Sequence, residues 1–183
     1  MAVPKQFGHV KGKLGFKSSW TNVYASTAAS AAITNTTDEA IFDDSVTLPA
    51  GMLKPGTRIR ITAQGIATST NGTDALTLVL RIGGVAGTAL ISLAATDVAD
   101  DDSWLFQCEL VIRTVGATGT FVGNGFHTLV PGAAGTPETR HAIIASTAIN
   151  TTVAQEIGVT ADWSAASASN SCRSDFLSIE IAE

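Results

Sequence analysis

Apolar residues alternate with polar ones over most of this chain, and this period of two constrains the fold more than any other feature. The segments TRIRITAQGIA, ALTLVLRI, SWLFQCELVIR, QEIGVTADW and FLSIEIA all show the alternation. In the third segment, one face carries Trp104, Phe106, Cys108, Leu110 and Ile112. Strands with one buried and one solvated face are typical of antiparallel sheets. We therefore expect an all-β chain, with Trp104 and the similarly phased Trp163 in its core.

Short strands separated by turns predict the architecture. Weaker strand patterns lie near 29–34, 40–48, 87–94, 118–130 and 139–147. Turn signals such as LPAGMLKPGT, DVADDDS and SAASASNS separate eight to ten strands, which predicts an antiparallel two-sheet sandwich. We expect a jelly-roll-like arrangement, with an immunoglobulin-like sandwich as the alternative, because a strand count does not fix the connectivity. We assign residues 1–25 to an extended basic N-terminal arm and residues 26–183 to a single sandwich domain.

A glycine-rich element occurs twice, as RIGGVAGT from Arg81 and as RTVGATGT from Arg113. A glycine loop that binds phosphate needs a helix after it, so that the amide dipoles converge on the anion. Both elements lead instead from one strand pattern into another. The glycines therefore predict tight hairpins or bulges, with Arg81 and Arg113 as outward residues near strand ends.

Charge is distributed unevenly along the chain. Residues 1–37 contain four lysines and no acidic residue, whereas the rest contains seven basic and sixteen acidic residues. The apolar side chains among these lysines favour an arm that docks on an acidic neighbour over a frayed terminus. Four lysines without arginine do not predict nucleic-acid binding. The candidate partner-binding residues of the arm are Lys5, Phe7, Lys11, Lys13, Phe16, Lys17 and Trp20.

The densest acidic cluster is DVADDDS, which includes Asp100, Asp101 and Asp102. Calcium sites use several carboxylates in one loop, but this spacing misses the EF-hand pattern and the loop has no glycine for its sharp turn. A solvated loop is one interpretation of the cluster. The other is that these aspartates receive the lysine arm of a neighbouring molecule, which makes them candidate partner-binding residues.

No motif in the sequence indicates catalysis. His9, His127 and His141 lie far apart, and neither HExxH nor GxSxG is present. No pair of acidic residues stands out as the two carboxylates of a glycosidase. We therefore expect no enzyme activity, no cofactor and no metal site.

Two cysteines are too few for a disulfide framework. Cys108 is in phase with inward-facing residues, whereas Cys172 is out of phase with Leu177, Ile179 and Ile181, so we expect two free thiols. The N-terminus shows no signal-peptide pattern, and no apolar run is long enough to span a bilayer, so we expect no membrane association.

The segments LTLVLRIGGVAGTALISL, SWLFQCELVIRTVGATGTF and TVAQEIGVTADWSAASASNSCRSDFLSIEIA together resemble segments of tailed-phage virion proteins of the small jelly-roll type. Such proteins decorate capsids or form head- and tail-associated fibres. The resemblance carries no functional residue with it. It implies an absence of catalysis, assembly through sandwich edges and arms, and a homo-oligomer, with a trimer favoured.

The leading hypothesis is a capsid decoration (cement) protein of the virion, assembled in the host cytoplasm. Its partner would be the major capsid protein or another virion protein. The alternative is a receptor- or glycan-binding module of a phage tail fibre or spike, with STNGTD or LVPGAAGTPET as its binding loop. A small metal-assisted hydrolase and a cellular adhesion module also remain open as alternatives.

Overall fold

The computed structural model describes residues 20–70, 73–131 and 136–183. Within them the chain forms twelve strands and no helix. The strands are β1 (Thr21–Ala25), β2 (Ile33–Thr34), β3 (Ala40–Ile41), β4 (Val46–Leu48), β5 (Arg58–Thr68), β6 (Ala75–Ile82), β7 (Thr88–Asp97), β8 (Asp102–Thr114), β9 (Gly119–Val130), β10 (Glu138–Ile149), β11 (Gln155–Trp163) and β12 (Ser171–Ala182).

The strands form two antiparallel sheets that pack as a sandwich, which confirms the predicted fold class. The seven-stranded sheet has the order β1-β12-β5-β8-β9-β10, and β2 also pairs with β12. The five-stranded sheet has the order β3-β11-β6-β7, and β4 also pairs with β11. Short strands β1 to β4 therefore lie at one side of the sandwich, and long strands β7 and β10 are edge strands.

The core lies between the inner faces of the two sheets. Trp104 and Trp163 are both buried there, as the alternation predicts. The ring of Phe42 stacks on Trp104 at a centroid distance of 5.9 Å, and Phe106 packs against Trp104 at the same distance. Because Phe42 is bonded through its backbone N–H to Val159 of β11, this aromatic cluster joins the two sheets.

Both cysteines are free and buried, which confirms the expectation of two free thiols. Burial raises the pKa of the Cys108 thiol to about 12 and also raises the pKa of Cys172. The parity argument for Cys172 is wrong, because a bulge between Ser174 and Phe176 shifts the register of β12 against β5. One extra residue inverts the alternation, so Cys172 points inward together with Leu177.

The two glycine elements form hairpin turns, as predicted. Gly83 and Gly84 have φ of +99° and +77° between β6 and β7, and Gly116 has φ of +114° between β8 and β9. The N–H of Gly87 donates to Gly84 at 2.9 Å, and the N–H of Gly119 donates to Gly116 at 3.2 Å. These backbone angles are open to glycine at little cost, which explains the residue type.

The predicted N-terminal arm lies mostly outside the described residues. Its last five residues form β1, which pairs with β12 through Thr21 and Ile181 at one end and Ala25 and Ser178 at the other. The arm therefore joins the edge of the seven-stranded sheet before residue 26.

A substitution at Gly65 in β5 tests how closely the aromatic cluster around Trp104 is packed. A Cβ atom there would overlap the carbonyl oxygen of Arg173 and lie 2.5 Å from a ring carbon of Trp104. We predict that Gly65→Ala lowers the free energy of unfolding by roughly 1–3 kcal/mol, because neither neighbour can move without disturbing the ladder or the stack. Equilibrium denaturation in urea measures this change.

Thr62→Ala is the matched control, since Thr62 lies on the outer face of the same strand. Its effect should stay within about 0.5 kcal/mol of zero. Equal effects of the two substitutions would show that the space beside Trp104 is not limiting.

Candidate functional site

The structure describes four of the ten candidate partner-binding residues. Trp20 lies on the seven-stranded sheet, and Asp100, Asp101 and Asp102 lie where β7 leads into β8. The other six lie outside the described residues: Lys5, Phe7, Lys11, Lys13, Phe16 and Lys17.

Trp20 covers two guanidinium groups on the outer face of β5. Its ring centroid lies 4.8 Å from Cζ of Arg58 and 4.0 Å from Cζ of Arg60, within the range of a cation–π contact. Arg58 also bonds to Glu109, and Arg60 lies 3.6 Å from Glu109 and 3.4 Å from Glu180. The ring therefore rests on a cluster whose two positive and two negative charges balance.

A shallow depression of about 380 Å³ lies beside this cluster. Gln107, Asn124 and the half-buried Phe126 line it together with Arg60 and Glu109. The outer face thus offers hydrogen-bonding side chains next to an aromatic ring, close to the point where residues 20–25 join the sheet.

The three aspartates differ in their surroundings. Asp100 and Asp101 are exposed, and Asp101 is held by Thr68, whose hydroxyl lies 3.2 Å from its Oδ1. Asp102 is buried, and its Oδ2 accepts a hydrogen bond of 3.1 Å from the N–H of Ala99. Asp100 and Asp101 are therefore at the surface, whereas the buried Asp102 stabilises the turn through its hydrogen bond with Ala99.

One end of the sandwich carries four turns, 49–57, 83–87, 115–118 and 150–154, which we call the apolar end. Thr151 ties them together: its carbonyl accepts from the N–H of Gly51 at 2.9 Å, and its hydroxyl accepts from the N–H of Gly116 at 2.8 Å. The turn 83–87 lies beside the turn 150–154. The N–H of Gly83 donates to the carbonyl of Glu156 at 2.7 Å, and residues of both turns line a depression of about 390 Å³.

Three valines project from the apolar end. Val85, Val115 and Val153 are 38%, 44% and 49% exposed, and the four turns carry a single charged residue, Lys54. Sequence reasoning missed this grouping, although a signal for it existed. In a chain of antiparallel strands every second turn lies at the same end, which places the turns after β6, β8 and β10 together and the acidic turn after β7 opposite them.

Arg81 lies on the outer face near the end of β6, as predicted, and its side chain is bonded within the sheet. Its Nε donates to Oε1 of Glu39 at 2.7 Å, and the hydroxyl of Thr160 donates to the same oxygen at 2.5 Å. Burial alone would raise the pKa of Glu39, but these hydrogen bonds lower it below its ordinary value. Arg81 therefore binds Glu39, the residue before β3, and holds it against the five-stranded sheet.

His127 is buried between the sheets beside Phe106, at a ring-centroid distance of 6.0 Å. Neither ring nitrogen has a hydrogen-bond partner among the described residues. Burial lowers the pKa of His127, and the positive charge of Arg140 adds to this effect while Glu138 opposes it. His127 therefore resists protonation in the folded chain.

The described part of the chain shows neither a cluster of metal ligands nor a membrane-spanning helix. It contains no group of three or more His, Cys, Asp or Glu side chains placed to hold a metal ion. Among the same residues there is also no helix that is long and apolar enough to cross a membrane.

We predict that Trp20→Ala lowers the free energy of unfolding by about 0.5–1 kcal/mol, because it removes the ring that covers Arg58 and Arg60. Urea denaturation at neutral pH measures the loss. Trp20→Phe keeps a ring at this position and should lose less. A Trp20→Ala chain as stable as the parent would mean that the ring contributes nothing to holding this segment.

We predict that the buried His127 makes the stability of the chain depend on pH. Its pKa is lower in the folded than in the unfolded chain, so the unfolded state takes up the proton first and stability falls as pH drops below about 6.5. His127→Phe keeps the contact with Phe106 and should remove this part of the slope between about pH 7 and pH 5. Denaturation curves across that range measure it.

His141→Gln is the control, because it removes an exposed imidazole from β10 of the same sheet. A parental slope in the His127→Phe variant would assign the acid sensitivity to other groups.

Comparison with known proteins gives distant likenesses. No family model matches the sequence, and no curated protein matches it. The chain is weakly similar to a protein of unknown function from Shewanella oneidensis MR-1, with 13% identity and a TM-score of 0.39 over 94% of this chain and 83% of the other. It is also weakly similar to a structure of infectious bursal disease virus, Gx strain, with 13% identity and a TM-score of 0.28 over 87% of this chain and 41% of the viral chain. At these values neither likeness bears on function.

Proposed function

We propose that this chain is a non-enzymatic virion protein that decorates and stabilises a phage shell. The observation that carries this proposal is the apolar end, where Val85, Val115 and Val153 project from turns with one charged residue. Lys54 itself lies 3.3 Å from Glu183, so this charge too is balanced within the chain. An apolar surface of this kind gains free energy by leaving water, and it suits an uncharged protein surface as partner.

The rigidity of the apolar end supports the same role. Thr151 is buried and bonds to two neighbouring turns, so the valines are held in place before any partner binds. A preorganised surface loses little conformational entropy on binding. More than half of each valine is already buried, so burying the rest would contribute roughly 0.5–1 kcal/mol each, which becomes a useful adhesive energy when the contact is repeated over a shell.

The charge distribution suggests a second contact. The four lysines of residues 1–17 have no acidic residue within their own segment, whereas Asp100 and Asp101 are exposed at the end opposite the valines. We propose that the basic segment of one molecule contacts these aspartates on a neighbour. The chain would then link its copies laterally while the apolar end binds the shell.

In this proposal the mechanism is adhesive. The protein binds the major capsid protein or another virion protein, forms homo-oligomers, and needs no cofactor, nucleic acid or membrane. Surface buried at subunit junctions raises the barrier to rupture of a shell that is under pressure from packaged DNA. Its location is the virion, assembled in the host cytoplasm.

The test is binding of the purified chain to particles of the encoding phage from which its gene has been deleted. We expect saturable co-sedimentation with a fixed number of copies per particle. The double variant Val85→Asp, Val153→Asp should bind at least about tenfold more weakly, because each carboxylate would have to leave water at the contact. Val130→Asp is the control, since this 40%-exposed valine ends β9 at the opposite end of the sandwich.

Two results would contradict the proposal. Parental binding by the double variant would exclude the apolar end as the contact. Failure of the parental chain to bind particles, together with binding to host-cell glycans, would favour the alternative of a receptor-binding module on a tail fibre or spike.

A further inference from the structure

A groove runs along β8 on the outer face of the seven-stranded sheet, and we call it the outer groove. The depression beside Arg60 and Glu109 forms its near end. A second depression of about 380 Å³ follows along the same strand, at Ser103 and Leu105, and forms its far end. Because Glu109 and Ser103 are six residues apart on one strand, the outer groove is about 20 Å long.

The far end of the outer groove is apolar. Ile66, Leu105 and Val130 line it. The register places Ser103 between Ile66 and Val130, so a small side chain leaves the space that the larger ones surround. Outward side chains of an antiparallel sheet are usually polar where water covers that face. An apolar depression on the outer face therefore indicates a contact with another segment.

The described residues begin at the near end of the outer groove. Trp20 lies over Arg60, whose ladder partner Glu109 lines that end. Strand β1 lies beyond β12 at the edge of the sheet, so the ring of Trp20 reaches from the edge across the outer face. The nineteen residues that precede Trp20 therefore join the described chain on the same face as the groove.

The sequence before Trp20 has the pattern of a segment with one apolar side. In KLGFKSSW, the residues Leu14, Phe16 and Trp20 share one phase of a period of two, whereas Lys13 and Lys17 fall in the other phase. In an extended chain this period places the apolar side chains on one side and the lysines on the opposite side. Contact through the apolar side would therefore leave both lysines in water.

The length of this segment matches the groove. An extended chain advances about 3.3 Å per residue, so Phe16 can lie up to about 13 Å from Trp20, and Leu14 up to about 20 Å. Leu105 lies four residues from Glu109 along β8, which is about 13 Å. Both apolar side chains can therefore reach the apolar end of the groove.

We infer that residues 14–19 cover the outer groove of their own molecule, with Leu14 and Phe16 against its apolar end. Trp20 holds the segment beside the groove, and this gives the segment a high effective concentration there compared with a segment of a neighbouring molecule. The inference goes beyond the proposed function. It leaves Lys5 and Lys11 for the contact with a neighbour, and it leaves the apolar end of the sandwich uncovered.

A pair of cysteines tests this contact. In the double variant Phe16→Cys, Gln107→Cys, one thiol replaces an apolar side chain of the segment and the other lies at an exposed position in the groove. The native cysteines are buried and do not compete. Under mild oxidation we expect an intramolecular disulfide, measured as the loss of two accessible thiols at the monomer mass of 18.8 kDa.

The matched control is the double variant Lys17→Cys, Gln107→Cys, because residue 17 is at least as close to Trp20 but has the opposite phase. The inference requires the disulfide to form at least about tenfold faster with Phe16→Cys, since the other phase turns the thiol away from the groove. Equal rates for the two variants overturn it. A covalent dimer also overturns it, because the occupant would then come from a second copy.

Trypsin cleavage after Lys17 gives a second measurement without added cysteines. A covered segment is cut only when it leaves the groove, so Leu105→Asp should speed this cleavage at least about tenfold, and Phe16→Ser should do the same. Leu105 faces outward on β8, so the fold should survive the substitution. Ser92→Asp is the control, because Ser92 is exposed on the five-stranded sheet and its substitution should leave the parental rate.

Parental cleavage of the Leu105→Asp variant would contradict the inference. The outcome is separate from that of the proposed function, because the double variant Val85→Asp, Val153→Asp changes the apolar end alone. That variant should keep both the parental cleavage rate and, when combined with the cysteine pair, the fast disulfide.

Discussion

The stack of Phe42 on Trp104 joins the two sheets, and the rest of the structure depends on it. Trp104 belongs to β8 of the seven-stranded sheet, whereas Phe42 is bonded to β11 of the five-stranded sheet. Gly65 leaves the space that the indole ring occupies. Because protein interiors are closely packed, this contact fixes how the sheets lie on each other, and hence which turns meet at each end.

The sequence predicts the strands well because alternation is a local property that each strand carries by itself. It fails for Cys172, since the bulge in β12 occurs where that strand passes Gly65 and the Trp104 ring, far away in sequence. It also does not place Trp20 over Arg58 and Arg60, because that contact depends on which strand lies beside β12. Local patterns thus predict which residues are buried, whereas long-range packing decides the exceptions.

The candidate surfaces also combine features that local sequence patterns predict with features that only long-range packing decides. Glycine spacing predicts the turns at residues 83–87 and 115–118, because positive φ is a requirement of the turn itself. The exposure of Val85 and Val115 in those turns has no local signal, since a valine in a turn can equally fold back onto the core. Their grouping with Val153 follows from strand direction, and their rigidity from Thr151, which looks like an ordinary loop residue in the sequence.

Most of the basic side chains that the structure describes are paired with carboxylates within the chain, and this shapes how it can recognise a partner. Arg58 and Arg60 bond to Glu109 and Glu180, and Arg173 lies 2.7 Å from Asp175. Paired surface charges give little long-range attraction, and salt screens what remains. Apart from the exposed Asp100 and Asp101 and the lysines of residues 1–17, binding would then depend on apolar contacts and free strand edges, which act only at short range. Each such contact is weak, but the binding energies add when many copies are fixed in one array. A sandwich domain with few charged residues is therefore suited to binding as part of a multivalent assembly.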